Sequence, residues 1–201
     1  KLKKEGTNEK LTEYLDLISD EASRCGRIVK DMLIFSHSDK EEFNVCNITG
    51  IIEKSVKIIN HHLEINNIKL NKNYENEDIS ISCSGQKIQQ ALMSLFINAI
   101  ESMQSKGEGT IAITTRKLND YIEIRISDTG SGIDRKDLPH IFDPFYSTKE
   151  AGKGTGLGLS VVYGIINTHK GKIEVEETSS SGTTFSILLP IEIKKEENEK
   201  I

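Results

Sequence analysis

The chain has 201 residues, 28% of them charged, a formal net charge of −5, three prolines and no tryptophan. That length carries one substantial core plus an accessory element. The acidic balance excludes nucleic-acid binding through a general basic surface, and no stretch is apolar and long enough to span a bilayer as a helix. Cys25, Cys46 and Cys83 are odd in number, far apart and without a Cys-x-x-Cys pair. They read as reduced thiols of a cytoplasmic protein, not as a disulfide framework or a zinc site. The first residue is a lysine and no signal-peptide pattern follows it. The reading is a piece of a longer cytoplasmic protein, either soluble or anchored to a membrane upstream.

The first unit is assigned to residues 1–40. Leu11, Leu15, Ile18, Ala22, Cys25, Val29 and Met32 recur at alternating steps of four and three, a heptad seam among charged and polar neighbours. So narrow a stripe fits a coiled coil or a four-helix bundle. An ordinary amphipathic helix packed on its own domain is the alternative. The seam fades after Met32, and residues 36–42 read as a linker.

Residues 41–193 form the second unit. Ile48, Ile51, Ile52, Val56 and Ile59 predict a helix behind an Asn47 cap. Residues 68–74 and 79–83 read as short strands around a polar turn. Ser84-Gly85 opens a second helix with Ile88, Ala91, Leu92, Leu95, Phe96, Ala99 and Met103 on one face, ended by Gly107-Glu108-Gly109. Residues 111–117 and 121–128 predict a hairpin through Asn119-Asp120. A third helix carries Leu159, Val162, Tyr163 and Ile166, and residues 172–177 and 183–190 predict another hairpin. Residues 194–201 are a charged tail, expected to be disordered. Helices with a mostly antiparallel, hairpin-built sheet predict an α/β two-layer sandwich, helices on one face, preceded by the long heptad-patterned helix.

Five stretches carry chemistry. Gly152-Lys153-Gly154-Thr155-Gly156-Leu157-Gly158-Leu159-Ser160 is a glycine-rich loop running into a helix N-terminus, where unpaired N–H groups and the positive dipole end favour phosphate. Its spacing is not that of a P-loop. Asp128 shares the face of Ile122, Ile124 and Ile126 and opens the turn Thr129-Gly130-Ser131-Gly132-Ile133. A carboxylate there suits the exocyclic amine of adenine, with Gly130 and Gly132 giving backbone access. A turn-capping aspartate is the alternative. Asn98 lies beside the apolar stripe of its helix and suits Mg²⁺ shared with phosphates, or is simply a polar residue at a helix border. In Phe142-Asp143-Pro144-Phe145-Tyr146-Ser147-Thr148-Lys149 the aromatics suit the anchor of a lid and Lys149 a terminal phosphate. Gly182-Thr183 opens the last strand, with a hydroxyl at the adenine end.

Together these stretches resemble the boxes of the ATP-binding domain of two-component sensor histidine kinases. The match lies in Gln90 to Met103 with Asn98, Asp128-x-Gly130-x-Gly132, Phe142-x-Pro144-Phe145, Gly154 to Leu159, and Gly182-Thr183, in the family's order. The resemblance implies a Bergerat-type fold shared with gyrase and chaperone ATPases, with ATP and Mg²⁺ as cofactors. It implies Asp128 on adenine, Asn98 on the metal, Lys149 and Asn98 as catalytic groups, and a lid from Gly154 through Thr155, Gly156, Leu157 and Gly158 to Leu159. Gly130, Gly132, Ile133, Phe145 and Thr183 complete the implied nucleotide contacts. The N-terminal seam is similar to the second helix of the family's dimerisation and phosphoacceptor hairpin. It implies a homodimer of the full-length protein and a response-regulator receiver domain as partner.

Two departures matter. No histidine carries the family's acceptor pattern: His37, His61, His62, His140 and His169 read as surface or structural residues. The acceptor helix is therefore expected outside this chain. Ser94 stands one turn before Asn98, where the family's ATP hydrolases carry a glutamate as general base. That disfavours a gyrase- or chaperone-type ATPase; a nucleotide-binding scaffold without phosphoryl transfer is the remaining alternative.

Overall fold

The computed structural model describes residues 42–75, 79–149 and 154–191, together with Leu11, Thr12, Tyr14, Leu15, Ile18, Ala22 and Gly26. Those seven N-terminal residues are helical, and Leu11, Leu15 and Ile18 of the seam are exposed by 54%, 58% and 64%. The seam positions Cys25, Val29 and Met32, the linker up to residue 41 and the charged tail lie outside the described residues.

Helix α1 (Ile48–Ile65) starts where Asn47 predicts, because the Asn47 side chain accepts the Gly50 N–H at 2.8 Å. Its Ile48, Ile51, Ile52, Val56, Ile59 and Leu63 are buried at helical spacing. Strand β1 (Asn44–Asn47) is an addition to the sequence reading. It pairs antiparallel with β3 (Ser80–Cys83) in a small separate sheet. Four residues, two of them asparagine and Val45 81% exposed, leave no alternation to detect. Strand β2 (Ile68–Tyr74) does not pair with β3 across the polar turn. It runs parallel to β4 (Gly109–Leu118), with Ile68 opposite Gly109.

Helix α2 (Gly85–Met103) buries Ile88, Ala91, Leu92, Leu95, Phe96, Ala99, Ile100 and Met103. A 3₁₀ turn, Gln104–Lys106, follows, and Gly107 at φ 73° closes it in the left-handed region. Strand β4 turns through Asn119, at φ 52°, into β5 (Tyr121–Asp128). Helix α3 (Gly158–Thr168) and the hairpin β6 (Lys172–Ser179) and β7 (Gly182–Pro190) complete the domain. The large sheet has the order β2-β4-β5-β7-β6, all antiparallel except β2 with β4. Ile111, Ile113, Ile122, Ile124, Ile126, Ile187 and Leu189 are almost fully buried on its helix-covered face. Each buried isoleucine contributes about 1.5–3 kcal/mol, so this layer holds the domain.

Two histidines have structural roles. His169, at the end of α3, is buried; its Nε2 accepts the Ser84 N–H at 3.0 Å and its Nδ1 lies 2.7 Å from the Ile165 carbonyl. Donating from Nδ1 while accepting at Nε2 fixes the neutral tautomer and ties α3 to the start of α2. His140 pairs with Asp143 at 2.9 Å.

Candidate functional site

Ser94, Asn98, Glu101 and Ser102 follow one another at steps of four, three and one, so they lie on one side of α2, beside its buried stripe. This side of a single helix touches the glycine-rich loop, the aromatic stretch and the Asp128 turn. A Cβ on Gly158 would stand 3.0 Å from Ser94 Oγ and 3.9 Å from Asn98 Nδ2, which puts the start of α3 against both residues. Glu101 forms an ion pair with Lys149. Ser102 reaches Asp128 at 3.2 Å, and its carbonyl accepts the Ser131 N–H at 3.1 Å.

The Asp128 end is dense with hydrogen bonds. Gly130 N–H donates to Asp128 Oδ1 at 2.8 Å. The Ser102 hydroxyl has a single proton between the Ala99 carbonyl at 2.8 Å and Asp128 Oδ1 at 3.2 Å. Lys106 Nζ donates to the carbonyls of Thr129 and Gly130 at 2.6 and 2.7 Å, clamping the turn from the 3₁₀ segment. Burial pushes the Asp128 carboxyl above its ordinary value; hydrogen bonds from Gly130, Ser102 and Thr183 and the Lys106 cation oppose the rise without cancelling it. Thr183 faces Asp128 across β5 and β7, and its Oγ1 lies 3.1 Å from Thr178 Oγ1, which accepts the Ile133 N–H at 2.8 Å. Asp128, Thr178, Ser179 and Thr183 line an open groove along this hairpin.

Both glycines of the turn are fixed by the protein's own packing. A Cβ on Gly130 would fall 1.9 Å from Ser102 Oγ. On Gly132, at φ +77°, it would fall 1.8 Å from the Ser179 carbonyl oxygen. Ile133 is half-buried against the core.

The opposite end is held differently. Phe142 packs on the core and meets Tyr163 of α3 at a ring distance of 5.5 Å, so Tyr163, 44% exposed, supports the aromatic stretch instead of entering the core. Phe145 sits at φ 67° with its side chain 60% exposed. Gly156, at φ +68°, passes so close that a Cβ would stand 2.3 Å from the Phe145 carbonyl carbon. Gly154 lies against Ser147 and the stem of Lys149, and Thr155 Oγ1 accepts the Leu157 N–H at 3.4 Å. Leu157 is buried and its carbonyl accepts Val161 N–H and Ser160 Oγ, both at 2.9 Å, which starts α3; Leu159 packs on the core edge. Gly152 and Lys153 lie outside the described residues.

The donor set fits a cation only in company with an anion. Among the described residues no group of three or more His, Cys, Asp or Glu side chains converges as a metal cage. Asn98 is half-buried and makes no side-chain hydrogen bond among the described residues, leaving a hard oxygen for an ion whose other ligands are phosphates and water. Glu101, Ser102, Lys106 and Thr178 were not singled out by the sequence reading. Helical spacing from Asn98 was a signal for the first two; nothing local marks the others.

A family model described as histidine kinase-, DNA gyrase B- and HSP90-like ATPase matches residues 83–193. Sporulation kinase E of Bacillus subtilis strain 168 is 31% identical over 185 residues, which cover 92% of this chain but only 24% of that kinase. The chain spans well under half of the curated relatives it matches. Among solved structures, the catalytic domain of histidine kinase ThkA aligns with a TM-score of 0.69 at 30% identity, covering 76% of this chain and 99% of that one. ThkA in complex with the response regulator protein TrrA aligns with a TM-score of 0.72, also at 30% identity, over 90% of this chain and 51% of that one.

Proposed function

The chain belongs to the histidine kinase-, DNA gyrase B- and HSP90-like ATPases, and we propose that it is the ATP-binding catalytic part of a sensor histidine kinase. It transfers the γ-phosphoryl group to a histidine outside this chain, and a response-regulator aspartate receives it next. The observation that carries this reading is the α2 side that joins Asp128, Asn98 and the glycine-rich loop in one site. The resemblance to ThkA, whose structure includes its response regulator, supports the choice of partner.

Asp128 is the acceptor for the adenine amine, held in place by Gly130 and Ser102, with Thr183 and Ile133 beside the base. Asn98 supplies a ligand to Mg²⁺, which when bound neutralises charge on the phosphates. Lys149 offers a point charge to the terminal phosphate, and the backbone from Gly154 to Gly158 lies over the phosphates at the start of α3. These residues position and stabilise; they carry out no covalent chemistry of their own. Ser94 has a hydroxyl where water activation needs a carboxylate, which favours transfer to an imidazole over hydrolysis. The exposed Leu11, Leu15 and Ile18 support dimerisation of the full-length protein through the N-terminal helix.

Labelled ATP tests the reading. The chain alone remains unlabelled, and a separate acceptor helix bearing a histidine becomes labelled when added. Label on the chain alone, or release of phosphate to water without acceptor labelling, overturns it.

A further inference from the structure

The Glu101–Lys149 ion pair lies one helical turn from Asn98, at the point where the loop leaves the aromatic stretch. Resting on the nucleotide-site reading above, we infer that Glu101 is a positioning residue that sets how strongly the site prefers a nucleoside triphosphate over a diphosphate, by holding Lys149 until a terminal phosphate claims it.

Three contacts converge on Lys149. Its ammonium pairs with Glu101, and its backbone N–H donates to Ser147 Oγ at 3.2 Å. Its stem lies against Gly154, where a Cβ would come within 3.2 Å of Lys149 Cδ and 2.5 Å of Ser147 Oγ. Glu101 holds the charge, while Ser147 and Gly154 hold the backbone and stem of the same lysine. Both side chains are partly exposed, 40% for Lys149 and 34% for Glu101, so the pair is weak enough to exchange.

An ammonium is a compact charge with three donors that moves as a unit on a flexible stem. A terminal phosphate, more highly charged than one carboxylate, competes for it. A diphosphate lacks that group and leaves Lys149 on Glu101. The carboxylate thus sets the threshold for recruitment, and removing its charge releases Lys149 to any triphosphate.

Calorimetric titration of the chain with MgATP and MgADP tests this in wild type, Glu101→Gln, Lys149→Met and the double variant. Glu101→Gln is expected to tighten ATP about two- to fivefold, the range of an exposed ion pair, and ADP by less than half as much. In the Lys149→Met background the same substitution is expected to change the ATP-to-ADP ratio by less than about 1.5-fold, because no lysine is left to release. An unchanged ratio in Glu101→Gln overturns the inference. So does an equal gain in the Lys149→Met background, which means plain repulsion between Glu101 and phosphate. Wild-type protein that binds no ATP fails the underlying reading instead, and the inference falls with it.

Discussion

The two ends of the site are built on opposite principles. At the Asp128 end, α2 and its 3₁₀ extension hold the turn through Ser102 and Lys106, and the carboxylate is half-buried with donors on several sides. At the Phe145–Gly158 end, glycine backbone lies against backbone, an aromatic is exposed, and one exchangeable ion pair ties the loop down. On the proposed reading the first end is preformed for one rigid group, the base, and the second takes a phosphate chain whose length differs between substrate and product. Glycine does the same thing at both ends, packing backbone where a Cβ would clash, so the difference between the ends lies in the side chains that anchor them.

The sharpest test places the same methyl group at each end. Gly132→Ala and Gly156→Ala both place a Cβ at positive φ against backbone. Gly132 is locked against the end of β6, so its variant is expected to lose about 3 kcal/mol, from left-handed strain plus overpacking, and about 6–12 °C in thermal unfolding. Gly156→Ala meets the same left-handed strain, but against the backbone of the exposed Phe145, which can yield; it should shift the midpoint by less than about two thirds as much and also weaken ATP. Equal thermal losses would break the comparison.

Asp128→Asn comes next. Loss of a charge-assisted acceptor of about 1.5–3 kcal/mol predicts roughly ten- to 150-fold weaker ATP binding by calorimetry. Because burial raises the folded-state pKa, the carboxylate's ionised form opposes folding: its stability contribution is full below the unfolded pKa and is lost as pH rises through the folded one. The asparagine variant is therefore expected to be at least as thermally stable as wild type at neutral pH. Nucleotide binding has the opposite pH dependence, since it needs the ionised acceptor. Affinity should fall as pH drops through the raised pKa, starting above the ordinary aspartate range.

Ser102→Ala sharpens the same point with a smaller effect. It removes one bond that favours the carboxylate, so the acid loss of ATP affinity should begin at a higher pH, with a three- to tenfold loss at neutral pH. The smallest effect belongs to the exposed aromatic. Phe145→Ala should change stability by less than about 0.5 kcal/mol in denaturant titration, because its side chain buries little. A larger loss would mean that the phosphate end is also part of the core.

Periodicity alone predicted α1, α2, α3 and both hairpins, since each buries a face whose spacing is written in consecutive residues. Asn47, Gly107 and Asn119 punctuate the chain through local chemistry, a side-chain cap and left-handed backbone, which needs no partner from afar. The ordered boxes also pointed to Asp128, Asn98 and the glycine-rich loop as members of one site. Long-range pairing was not legible: β1 joined to β3, and β2 parallel to β4 across the whole of α2. Nor was the reason Gly130 and Gly132 are glycine, because the atoms they must avoid belong to Ser102 and Ser179. Glu101, Lys106 and Thr178 gain their roles only when α2, the turn and the last hairpin meet. Local spacing determines which face a residue occupies; tertiary packing alone decides what stands opposite it.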